Sequence, residues 1–372
     1  MSMAAERSPA TFNEPDRLDG FSTPREVDRL FGHDAAISEF DDALHSGRMH
    51  HAWLLVGPEG IGKATLAYRF ARAALAEGDH DAARDAIDRD HPVFRKVAAL
   101  SHPNLLLIRR SWVEKSKRYS QWIGVEEVRR LRAFLGHSAG ELGWRVVIVD
   151  RADELNQNAA NALLKALEEP PPQTLFLLIS SAEGRLPVTI RSRARTLRVT
   201  GLGEEDLEKA VRAALARDEH EADARTLATA LALGQGSVRR ALELVSSAGI
   251  ELYGEILDAL AALPEIDGAR LHRLVDRLAG AANSDRLDLY LSLLLGLIER
   301  LIRFTATGEG ATTDAQKLAK RLVSSANLAH WAEAWEAMSE AKAEAHALNL
   351  DRGLLLLETW FRLQQVAREH PV

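Results

Sequence analysis

The segment Gly57-Pro58-Glu59-Gly60-Ile61-Gly62-Lys63-Ala64-Thr65 brings together residue types that can hold a phosphate. Gly57, Gly60 and Gly62 leave the backbone free to turn its amides around phosphate oxygens at a helix N-terminus. Lys63 would set a point charge on the outer phosphates of a nucleotide. The plain alternative is a tight strand-to-helix turn that happens to end in lysine. Loops of this type continue with a serine or threonine that ligates Mg²⁺. Here that position is Ala64, and Thr65 lies one residue on, about 100° further round the helix. The spacing therefore predicts a site for ATP or ADP in which Mg²⁺ lacks one protein ligand, so that binding survives more readily than catalysis.

A second element is Val146–Asn156, where an apolar run ends in Asp150 and fits a buried strand delivering a carboxylate to the same Mg²⁺. Hydrolysis needs a group that orients or deprotonates the attacking water. The next residue is Arg151, a cation with no base function, and Asp153 and Glu154 lie too far along to replace it simply. Ala64 and Arg151 are independent departures that bear on one reaction.

Three further stretches carry arginines or lysines. In Leu186–Val199, Arg191, Arg193 and Arg195 alternate and would share one face of an extended segment. That face is either a solvated basic edge or a presentation of Arg193 as an arginine finger for a neighbouring subunit's ATP. In Gly234–Leu242, Ser237 can cap a helix whose Arg239 or Arg240 reaches back towards a phosphate. Between Arg109 and Trp122, Lys115, Lys117 and Arg118 stand among Trp112, Tyr119 and Trp122, which reads as a solvated hairpin before it reads as a single-strand-binding surface.

The elements that must position these groups follow from the hydrophobic pattern. Ala52–Gly57, Asn104–Arg110, Trp144–Asp150 and Thr174–Ser180 are near-continuous apolar runs of strand length alternating with helical segments. This predicts a parallel sheet covered on both faces. Pro170, Pro171 and Pro172 stop the helix that ends near Glu169. After about residue 200 the text is helical. The expected organisation is a tail over 1–22, an α/β domain over 23–200, a small helical unit over 201–250 and an all-helical domain over 251–372.

Composition narrows the classes. The chain of 372 residues has no cysteine, so disulfides and thiolate-bound zinc are excluded, and a cytoplasmic location fits. His45, His50 and His51 show no ligand spacing, since the adjacent His50 and His51 should point different ways, and no metal site is expected. A net charge of −7 argues against coating DNA through the overall field. The apolar run Leu289–Ile298 is too short to span a membrane and is expected to be a buried helix. The acidic stretch Glu77–His91 reads as a solvated helix or surface insertion.

Taken together, the strand and loop over Gly47–Ala67, the stretch Asn161–Arg193 and Gly236–Leu242 resemble bacterial clamp-loader subunits of the AAA+ family. The resemblance covers about residues 25–245. It implies a RecA-like AAA+ domain, a three-helix lid and a helical collar that holds a ring together. It also implies a nucleotide site formed by Gly57, Gly60, Gly62, Lys63, Ala64, Thr65, Asp150 and Arg239, with Ser180 and Ser181 at the polar sensor position. Arg193 follows Ser192 as in the family's serine-arginine motif. A member without its own catalytic groups but with Arg193 would be a non-motor subunit, partnered with the gamma/tau motor subunits and delta. Through the assembled ring it would act on the sliding clamp and primer-template DNA during replication. An active motor ATPase of the gamma/tau type is the alternative, and a nucleotide-responsive DNA-binding protein the third reading. Many relatives carry a four-cysteine zinc module after the P-loop helix. No zinc is expected here, and Glu77–His91 occupies roughly that place.

Overall fold

The computed structural model describes residues 14–15, 17–76, 88–115, 118–136, 143–246, 249–278, 284–309, 313–348 and 350–372. The greater part of the tail over 1–22, the stretch 77–87 of the acidic insertion and Lys117 lie outside the described residues.

The four apolar runs become strands β1 (Ala52–Val56), β2 (Leu105–Ile108), β5 (Arg145–Val149) and β6 (Thr174–Ser180). Between them, β3 (Trp112–Val113) and β4 (Arg118–Tyr119) pair as a short antiparallel hairpin. A last strand, β7 (Arg195–Arg198), joins the main sheet, whose order is β2-β5-β6-β1-β7 with every pair parallel. Every residue of β1 and β6 is buried, as expected of central strands covered on both faces.

Alternate residues divide the core into two layers. Trp53, Leu55, Val146, Ile148, Leu175 and Leu177 face a layer built with helices α1 (Asp34–His45) and α2 (Lys63–Leu75), where Phe40 and Phe70 stack at 3.9 Å. Past α3 (Pro92–Ala98), helices α4 (Val125–Gly136) and α5 (Gln157–Glu168) cover the other face, meeting Leu54, Val56, Val147, Val149 and Leu178. This is an α/β fold, a five-stranded parallel sheet covered by helices on both faces.

Two local expectations are corrected. Residues 191–194 are not extended. The one-turn helix α6 (Val188–Arg191) continues as turns, with Arg193 N donating to Ile190 O and Ala194 N to Arg191 O, and β7 begins only at Arg195. Arg191, Arg193 and Arg195 therefore do not share a strand face. The cause is local: backbone hydrogen bonds of the helical turn are available up to Ala194, and sheet partners only from Arg195, opposite Trp53. His50 and His51 also do not point apart. Their rings stack at 4.6 Å, with Ala52 N donating to His50 Nδ1.

Tertiary contacts divide the chain into two units, residues up to Asp223 with Leu233–Leu242, and Ala224–Ala232 with Glu243–Val372. The first carries the sheet, α7 (Glu204–Arg217) and the segment where α8 (Ala224–Gly234) ends and α9 (Val238–Ser246) starts. The second contains α10 (Gly249–Ala262), α11 (Gly268–Leu278), α12 (Ser284–Thr307), α13 (Thr313–Leu322), α14 (Leu328–Leu348) and α15 (Arg352–Glu369). Leu289–Ile298 forms the middle of α12, where Tyr290, Leu293, Leu294, Leu297 and Ile298 are fully buried. Among the described residues no helix is long and apolar enough to cross a membrane.

Candidate nucleotide site and the Arg193 turn

In an open parallel sheet, ligands bind at the carboxyl ends of the strands. Three elements of the site meet there. The glycine loop follows β1, Asp150 follows β5, and Ser181 follows β6. The loop is held by its surroundings as well as by its own sequence. Gly57 N donates to Ser180 O at 3.4 Å, and Arg239 N donates to Gly60 O at 3.2 Å. His33 Nε2 lies 2.8 Å from Ile61 O.

The glycines are required by contact and by conformation. A Cβ on Gly57 would stand 2.0 Å from Val199 O, and one on Gly60 would stand 2.3 Å from Ser237 Oγ. Gly60 and Gly62 have φ of 77° and 102°, values that side-chain-bearing residues rarely adopt. Ser237 caps α9 as the sequence suggested, its Oγ accepting from Arg240 N at 3.2 Å. The same hydroxyl crowds Gly60, so the start of α9 is part of the loop's wall.

Lys63, the first residue of α2, is buried. Its ammonium donates to Gly57 O at 2.7 Å, to Ser181 Oγ at 2.9 Å and to Pro58 O. Those three acceptors match the three donors of an ammonium. Burial pushes the Lys63 pKa down to about 8, and Arg151 adds to the shift, while Glu59, Asp153 and Asp150 oppose it. Ser181 N in turn donates to Asp153 Oδ1 at 3.1 Å. Of the two candidate sensor serines, Ser181 is the one that touches Lys63. Ser180 is fully buried, its hydroxyl accepting from Ala182 N.

Ala64 and Thr65 occupy the first turn of α2, both half-buried, and the Ala64 methyl packs against the core layer under the loop. Arg151 has a left-handed backbone, φ 56°, and pairs with Glu59 inside the loop and with Glu154 Oε1 at 3.1 Å. Glu154 also receives Arg110 at 2.9 Å. Burial raises the Glu154 pKa, and the Arg151 and Arg110 charges oppose that rise. The position after Asp150 is thus a cation clamped between two carboxylates, one of them in the loop itself.

A nucleotide fits this set of residues only in part. The glycine backbone and the N-terminus of α2 suit phosphate oxygens, which agrees with the fold. The donor set for Mg²⁺-assisted hydrolysis does not fit, because Ala64 offers no oxygen and Arg151 offers no base.

Arg193 is engaged elsewhere. Its Nη2 lies 2.8 Å from Glu168 Oε1, and its Nη1 donates to Thr189 O at 3.0 Å and to Ser192 Oγ at 3.4 Å. The side chain stays 36% exposed, and none of these three partners belongs to the glycine loop. The hairpin arginines have their own ties: Arg109 to Glu14 at 3.1 Å and Arg110 to Glu154, while Trp112 and Tyr119 pack edge-on at 5.1 Å. Sequence reasoning missed Glu59 and Glu168. An acid inside a phosphate-type loop was a readable signal for Glu59. Nothing local pointed to Glu168.

Sheet, loop and strand-end carboxylate have the arrangement expected of a P-loop α/β domain. Comparisons with known proteins narrow this. The family model described as DNA polymerase III, delta subunit, matches residues 32–202. DNA polymerase III subunit delta′ of Pseudomonas aeruginosa is 41% identical over 143 residues, 38% of this chain and 41% of that protein. Subunit gamma of Buchnera aphidicola is 28% identical over 241 residues, 63% of each chain. Subunit delta′ of Haemophilus influenzae is 31% identical over 212 residues, 57% of this chain and 59% of that protein. The chain thus spans less than two thirds of the length of these relatives. A gamma subunit-related protein from Thermotoga maritima superposes over 88% of this chain and 98% of its own, at 18% identity and a TM-score of 0.39. The family match and the sequence relatives support a place for this chain in the clamp-loader subunit family of DNA polymerase III.

Proposed function

We propose that the chain acts as a delta-prime-type, non-motor subunit of the DNA polymerase III clamp loader. The observation that carries this reading is the Arg151 ion pair with Glu59, which puts a clamped cation where hydrolysis needs a base. Ala64, without an oxygen for Mg²⁺, points the same way. Arg193, half-buried with its partners outside the glycine loop, then serves as the arginine finger for ATP in an adjoining gamma/tau motor subunit, stabilising charge on the transferring phosphoryl group. The domain over 23–200 is the AAA+ module, 201–250 the lid, and 251–372 the collar that joins the ring with delta and the motor subunits. Through that ring the chain helps to place the sliding clamp on primer-template DNA in the cytoplasm. The glycine loop, with Gly57, Gly60, Gly62, Lys63, Thr65, Asp150 and Arg239 around it, keeps the shape to hold ATP or ADP without turning it over.

The test is steady-state hydrolysis by the purified chain, alone and in the reconstituted complex. The expected result is no Lys63-dependent turnover alone, and reduced turnover of an intact complex carrying Arg193→Ala. Wild-type turnover in that complex would sink the finger role. The gamma/tau motor reading has support in the retained Gly60-Ile61-Gly62-Lys63 and in the gamma relative matched over 63% of the chain. Turnover by the chain alone at motor-subunit rates, lost in Lys63→Ala, would establish it.

A further inference from the structure

Glu168 is the last residue of α5, and Glu169 and three prolines follow it. The C-terminal end of a helix carries partial negative charge, so an acid there is disfavoured and a cation favoured. Two successive acids at such an end are therefore unfavourable by local physics alone. The tertiary structure supplies the compensation: the Arg193 guanidinium lies against Glu168 Oε1 at 2.8 Å. Its other arm is held by Thr189 O, from the one-turn helix α6, and by Ser192 Oγ. The guanidinium is thus fixed on two nitrogens by groups from two separate elements, yet remains 36% exposed.

An exposed ion pair of this kind contributes little to stability, and Glu168 is itself 50% exposed, so the pair is not there to hold the fold. What it does control is direction. A long arginine side chain has several rotamers to lose when it enters a neighbouring site, and a contact that fixes it beforehand reduces that loss. We propose that Glu168 is a positioning residue that orients Arg193 for the neighbouring ATP site. This rests on the finger role assigned to Arg193 above. Glu168 touches no nucleotide in this scheme; it acts only through the arginine.

The test is ATP turnover by the reconstituted complex carrying Glu168→Ala, Arg193→Ala or both in this chain, at saturating ATP and across an ATP titration. The Arg193-dependent share of turnover, defined by Arg193→Ala, should fall about fivefold in Glu168→Ala, with the KM for ATP unchanged. Glu168→Asp, which keeps the charge, should recover most of it. In the double variant, Glu168→Ala should add nothing to Arg193→Ala, an outcome that a purely structural role would not give. Full turnover in Glu168→Ala, an increase, or an additive loss in the double variant would overturn the positioning role while leaving the finger role standing. An Arg193→Ala complex with wild-type turnover would overturn both.

Discussion

The glycine loop and the Arg193 turn are built from the same chemistry, cations beside oxygens, and they point it in opposite directions. At the loop, Lys63 is buried and every donor of its ammonium is directed at the protein, while Arg151 is clamped between Glu59 and Glu154. At the turn, Arg193 has equally specific partners, none of them in the glycine loop, and its side chain is 36% exposed against 30% for Arg151 and a buried Lys63. Cationic residues near a phosphate-type loop therefore do not by themselves mark a working site. What matters is whether the surrounding carboxylates and carbonyls leave the charge available.

The largest effect expected from breaking this contrast is at the loop's backbone. Gly57→Ala places a Cβ against the rigid Val199 carbonyl and should destabilise the α/β unit by at least about 3 kcal/mol, read as a lowered melting temperature. On the open side, Val188, 66% exposed beside the Arg193 turn, should tolerate Val188→Ala within about 0.5 kcal/mol. Equal losses at the two positions would erase the distinction.

The next effect depends on pH. The Lys63 pKa is depressed to about 8 from an ordinary 10.5, so between those values the unfolded chain holds a proton that the folded chain has released. Stability rises with pH wherever the unfolded state binds more protons. Below about pH 8 both states are protonated and the burial penalty is present in full. Between pH 8 and 10.5 it is progressively relieved, by on the order of 3 kcal/mol at the upper end. Relative to Lys63→Met, the wild-type protein should therefore gain stability over that window, measured as the difference in melting temperature against pH. A flat difference would mean that the ammonium is better solvated than its contacts indicate.

The smallest effect separates the two arginines. Arg151 has two carboxylate partners and is 30% exposed, so Arg151→Ala should cost about 1 kcal/mol and leave Glu59 unpaired. Arg193→Ala should cost less than about 0.5 kcal/mol in the isolated chain. Denaturant midpoints of the two variants under one set of conditions provide the comparison. A costlier Arg193→Ala would make that residue a structural arginine.

Most of the sheet was legible because central parallel strands are buried on both faces and so read as unbroken apolar runs, as at Ala52–Val56 and Thr174–Ser180. The edge strand β7 was not, because only Leu197 of Arg195–Arg198 is fully turned into the core and the rest reads as basic surface. Ser237 was readable as a cap from a glycine-serine step before an amphipathic helix, but its approach to Gly60 was not, since 177 positions of chain separate them.

By itself the sequence determined the alternation of strand and helix, the glycine loop, and the two chemical departures at Ala64 and Arg151, because residue type and spacing are local properties. Only the tertiary structure decided where the charges go. Glu59 and Arg151 are 92 positions apart, Lys63 and Ser181 118 apart, and Glu168 and Arg193 lie on different elements. A cation's availability depends on which oxygens the fold brings within about 3 Å of it, and no local pattern records that distance.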